Sequence, residues 1–85
     1  MEDEISIQAN YFCKNLPKLQ MSIYCIFDGH NGTEVCNYLK NNFIEKFLCN
    51  FEKEICKKNF DYYLTVQTTA KITFKQIDRE IFSII

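Results

Sequence analysis

The sequence predicts an α+β chain, an antiparallel strand pair followed by two helices, on three observations. Apolar and polar residues alternate over 4–12, where Ile5, Ile7, Ala9 and Tyr11 fall on one side of an extended chain. The run 23–27 is continuously apolar and rich in β-branched and aromatic residues, the pattern of a buried strand. Beyond Gly32 the apolar residues recur at helical spacing, first over 33–49 and again over 69–84.

Each element has local support. Residues 14–20, with Asn15 and Pro17, read as a loop, so the strands over about 4–12 and 22–27 pair most simply as a hairpin. That pairing brings Glu2 and Asp3 near Asp28. Thr33 is a suitable N-cap, and Glu34 complements the positive end of the helix dipole. Val35, Leu39, Phe43 and Phe47, with Cys36, Ile44 and Leu48 beside them, form the apolar stripe, while Lys40, Asn41, Asn42, Glu45 and Lys46 face away. From 50 to 58 the helix either extends or restarts, and Asn59 breaks it. Residues 62–67 have the composition of a strand. Phe74, Ile77, Ile81 and Ile84 or Ile85 then mark a last helix, with Thr68 or Thr69 as its cap.

With 85 residues there is room for one small domain, and one Pro and two Gly argue against disorder. A net charge of −1 gives no reason to expect nucleic acid or an anionic membrane as partner. Cys13, Cys25, Cys36, Cys49 and Cys56 are odd in number and contain no Cys-x-x-Cys pair, so neither a disulfide framework nor a zinc site is supported. Most are expected to be small buried hydrophobes in a reducing compartment. No apolar run approaches the ~20 residues of a membrane span, and the acidic start is unlike a signal peptide. An intracellular protein, cytoplasmic or nuclear, is expected.

The chemistry gathers at Phe27-Asp28-Gly29-His30-Asn31-Gly32, where the apolar run ends in an acid, a glycine, a histidine and another glycine. A carboxylate at a strand end is costly to desolvate unless paired, and a divalent cation is one such partner. A histidine two residues on can carry a proton near neutral pH. The bland alternative is a plain turn with a solvated histidine.

These six residues resemble the Phe-Asp-Gly-His-Gly-Gly signature of the metal-dependent serine/threonine protein phosphatases, the protein phosphatase 2C family. Met1-Glu2-Asp3 is similar to the Met-Glu-Asp of that family's first conserved strand, and Phe74 with Asp78 resembles a Phe-to-Asp spacing on a later helix. The resemblance implies the N-terminal portion of a β-sandwich flanked by helices, with 1–85 a partial domain. It also implies a variable connection at 62–67, in conflict with a strand there. By the same resemblance Asp28 would bridge two Mn2+ or Mg2+ ions, and the Gly29 carbonyl would bind one of them. Glu2 and Asp3 would add acidic character beside the metals, and His30 would give a proton to the leaving alcohol. The substrate class implied is a phosphoprotein, hydrolysed at phosphoserine or phosphothreonine.

Several family features have no counterpart in this sequence. The phosphate-gripping arginine precedes the family's Met-Glu-Asp, Arg79 stands elsewhere, and the distal aspartates of the metal site are missing. Asn31 replaces a Gly or Ala, a change that turn geometry tolerates. The expectation is a chain carrying part of the domain and inactive alone, with a non-catalytic interaction module or an unrelated small α/β binding protein as alternatives. Asp78 is expected to serve locally, including with Lys75, and the aromatic and isoleucine stripes to be core.

Overall fold

The structure, a computed structural model, describes residues 3–28, 32–57 and 60–84, the last by its main chain. Among these the order is β1 (Glu4–Phe12), β2 (Gln20–Phe27), α1 (Thr33–Glu54) and α2 (Tyr62–Ile84), and the α+β class is as expected. β1 and β2 pair antiparallel, Glu4 opposite Phe27 and Gln8 opposite Ile23, with a register shift between Gln8 and Tyr11. α1 packs against both strands and against α2.

The shift is a bulge, and it decides which way the sheet faces. Asn10 takes φ 56°, a left-handed conformation that asparagine tolerates. Its N–H donates to Ser22 Oγ at 3.0 Å, and its Oδ1 accepts from Gln20 Nε2 at 3.1 Å. Beyond the bulge Tyr11 joins Met21, Ile23, Cys25 and Phe27 against the core. Before it, the residues turned to α1 are Glu4 and Ser6, held by a Lys40 Nζ–Glu4 ion pair at 3.0 Å and a Ser6 Oγ hydrogen bond to the Lys40 carbonyl at 3.0 Å.

Two expectations are corrected here. Ile5, Ile7 and Ala9 do not share a buried face with Tyr11: Ile5 and Ile7 are 57% and 59% exposed. Nor is 23–27 buried on both faces, because Tyr24 and Ile26 are 69% and 75% exposed. In both strands the helices cover one face only.

The core is built by α1. Phe43, Phe47 and Phe51 stand on successive turns with rings stacked at 6.3 and 6.1 Å, and Phe51 is wholly buried. Ile44, Leu48, Ile55, Cys13 and Ile77 complete the cluster. Phe27 meets Phe43 edge-on at 5.9 Å and so ties the end of β2 to the helix. Because Phe51 and Ile55 continue the stripe, α1 runs to Glu54 rather than stopping at 49. Its N-cap is Gly32, at φ 99°, rather than Thr33.

α2 overturns the strand reading of 62–67. It starts at Tyr62, capped by Asp61, whose Oδ1 accepts from the Leu64 N–H at 2.9 Å, and neither Thr68 nor Thr69 is a cap. Thr65, Thr69 and Thr73 are buried four residues apart, and the hydroxyls of Thr69 and Thr73 donate back to the carbonyls of Thr65 and Thr69 at 2.6 and 2.8 Å. These threonines satisfy their hydroxyls within the helix while facing α1, and that packing outweighs their strand preference. Asn50 Nδ2 reaches across to Thr73 Oγ1 at 3.1 Å and Gln76 Oε1 at 2.9 Å. Glu80, accepting from Lys46 at 2.6 Å and from the Tyr38 hydroxyl, joins the helices again.

The cysteines divide. Cys13 and Cys36 are buried and Cys25 is half-buried, but Cys49 and Cys56 are exposed, which corrects the expectation that most are interior. The break expected at Asn59 and the apolar contact expected of Ile85 lie outside the described residues.

The core assignment predicts a contrast. Phe51→Ala should lower stability by ~3–5 kcal/mol, whereas Phe82→Ala, at a side chain 88% exposed, should change it by less than ~0.5 kcal/mol. Urea denaturation followed by circular dichroism reads both.

Candidate functional site

The site expected at the end of the strand pair is built by register. The terminal pair of the ladder is Glu4 with Phe27, and Asp3 and Asp28 are the residues that flank the two strands at that end. Both residues are exposed. Two acids 25 positions apart in sequence thus flank one end of one strand pair.

The same end is anchored to α1. Cys36 Sγ donates to the Phe27 carbonyl at 3.3 Å, and the Cys36 N–H donates to the Gly32 carbonyl at 3.1 Å. Phe27 and Gly32 are therefore both tied to the first turn of the helix through Cys36. A small cleft of about 260 Å3 lies alongside, lined by Glu4, Thr33, Cys36 and Asn37.

Of the residues expected to form a metal site, Asp3 and Asp28 are described, and they flank the same end of the strand pair. Glu2, Gly29 and His30 lie outside the described residues. Among the described residues no three His, Cys, Asp or Glu side chains form a cluster able to hold a metal ion. Carboxylate oxygens such as those of Asp3 and Asp28 are the donors that Mg2+ and Mn2+ prefer. Asp78, on α2, is exposed.

A second polar cluster was not anticipated. Glu52 is buried on α1, and its carboxylate accepts from the Tyr11 hydroxyl at 2.5 Å and from the N–H groups of Lys14 and Asn15 at 2.6 and 3.2 Å. Asn15 Nδ2 donates in turn to the Glu52 carbonyl at 3.1 Å. One carboxylate thus fixes the end of β1 and the start of its loop to the helix. The sequence signal was Glu52 itself, four residues after Leu48 and so on the apolar stripe. Burial works to raise the Glu52 pKa, but the hydrogen bonds from Tyr11, Lys14 and Asn15 and the charge of Lys14 outweigh it, leaving a net lowering. Tyr11 moves the other way, pushed up to about 12 by its hydrogen bond to Glu52, by desolvation and by the Glu52 charge.

The signs of these shifts set a pH window. Glu52, lowered from 4.5, contributes stability that is present above that value and lost as pH falls through its folded pKa. Tyr11, raised from 10.0, contributes stability that is complete below pH 10 and lost as pH rises towards about 12. Thermal melts across pH should show both limbs. Tyr11→Phe should flatten the alkaline limb, and Glu52→Gln should flatten the acid limb while costing ~1–3 kcal/mol at neutral pH.

No helix among the described residues is long and apolar enough to cross a membrane. Compared with known proteins, the chain matches no family model, no curated protein and no solved structure.

Proposed function

We propose that this chain carries the N-terminal part of a metal-dependent phosphatase domain, whose full form hydrolyses phosphoserine and phosphothreonine in proteins. The observation that carries the reading is the register that ends the ladder at Glu4 and Phe27, so that Asp3 and Asp28 flank the strand end where the six-residue signature begins. The layering supports it as well, since helices cover one face of the sheet and leave the other apolar.

In this reading Asp28 and Asp3 hold divalent cations at the sheet end, with Glu2 and the Gly29 carbonyl completing the acidic edge. Bound Mn2+ or Mg2+ lowers the pKa of a coordinated water and neutralises phosphoryl charge. The chain's own residues do the rest. Cys36 and Phe43, through Phe27, hold the strand end in place. His30 protonates the departing serine or threonine oxygen, a task suited to its ordinary pKa of ~6.5. With two described carboxylates the site grips metal weakly, and the chain alone does not turn over substrate.

Mn2+ titration followed by nuclear magnetic resonance tests this. Paramagnetic broadening should concentrate on the amides of Asp3, Glu4, Asp28 and Thr33, and Asp28→Asn should weaken it on the order of tenfold, the scale of a lost ligand or ligand support. Broadening spread elsewhere, or unchanged in Asp28→Asn, overturns the metal assignment. Manganese-dependent hydrolysis of a phosphothreonine peptide by the chain alone overturns its inactivity.

A further inference from the structure

The sheet face turned away from the helices is the least ordinary surface of the molecule. Register places Ile5 beside Ile26 and Ile7 beside Tyr24, and Phe12 extends the same face past the bulge. All five are 57–75% exposed. Gln20 and Ser22 fill the remaining β2 positions, and the bulge residues are Ala9 and Asn10. In a sequence that is 25% charged, this face between its ends carries no charge. Isolated exposed apolar side chains are ordinary, but contiguous ones on a bare sheet mark an interface.

We propose that two copies of this chain pack these faces together as a closed dimer, sheet on sheet with the helices outermost. Two properties select a second copy. The first is self-complementarity. A face that is apolar and uncharged meets no unpaired charge in its own copy, and a two-fold axis lets each residue serve both sides. The second is area. The exposed fractions of the five side chains amount to roughly 700 Å2 per copy, close to the ~800 Å2 per partner of a standard specific interface.

Charge also orients the pair. Asp3 and Asp28 border the face at one end, and no acid stands at the other, by Phe12 and Gln20. Copies packed with strands antiparallel keep the two acidic ends apart, whereas parallel packing would bring four carboxylates together. Sheets packed face to face lie ~10 Å apart with strands within about 30° of alignment, which lets the isoleucines of one copy fall between those of the other.

Sedimentation velocity of the chain over a range of concentrations tests the dimer. A monomer–dimer equilibrium in the micromolar range is expected. Ile26→Lys and Tyr24→Lys should each raise the dissociation constant about a hundredfold or more, since a two-fold interface buries each new charge twice. Phe82→Lys, on the far side of α2, should leave it unchanged. Hydroxyl-radical footprinting of the unsubstituted chain needs no variant, and oxidation of Tyr24 and Ile26, but not of Phe82, should fall as concentration rises. A monomer at every concentration, open-ended association, or a dimer that loses no affinity in Ile26→Lys and shields Phe82 instead would each overturn the proposal. The Mn2+ titration tests the metal assignment separately.

Discussion

Burial of one stripe of α1 is the interaction on which the rest of the structure depends. A two-stranded sheet is marginal in water by itself, and α2 packs on α1, with Phe74 at 5.0 Å from Phe43. The rings of Phe43, Phe47 and Phe51 form a ladder along α1. The sheet, through Phe27, and the second helix, through Phe74, both meet that ladder at Phe43. At this chain length, where only a modest fraction of the surface can be buried, every element is held through the same few aromatic side chains. The polar contacts then fix where the elements sit. Glu52 sets the end of β1 on the helix, Lys40 sets its start, and Glu80 aligns the two helices.

The bulge at Asn10 explains why the apolar side of β1 faces outward. A strand has period two, so one inserted residue exchanges its faces. Tyr11 lies inward on one side of the bulge, and Ile5 and Ile7 lie outward on the other. The inward positions of the first half are Glu4 and Ser6, which α1 accommodates because Lys40 offers both an ammonium and a carbonyl at that level. The polar residues of the sheet are thus spent on the helix side. What remains for the open side is the isoleucines.

The sequence shows element type well wherever one pattern governs. The strand pair, the start of α1 and its stripe from Val35 to Leu48 follow from periodicity alone. It fails where a tertiary contact decides. Residues 62–67 have strand composition, but Thr65 and Thr69 lie on the face that α1 covers and return their hydroxyls to the helix backbone. The inward side of β1 was misread because nothing in the alternation of Ile5, Ile7, Ala9 and Tyr11 reveals an inserted residue. Only the left-handed backbone at Asn10 does so. Glu52 was legible as an acid on an apolar stripe, yet its donors come from Tyr11, Lys14 and Asn15, about 40 positions away, and no local pattern joins them.

The open face and the acidic strand end are consequences of a single alternation. Ile26 and Ile5 point outward as partners across the ladder, and Asp28 and Asp3 lie two residues beyond them along the two chains. A slip of one residue in the pairing would turn Ile23 and Cys25 outward, so the core's demand for those side chains fixes the register. Any layer covering the isoleucines also excludes water beside the carboxylates. In the lower dielectric that results, two like charges repel more strongly and attract a cation more strongly.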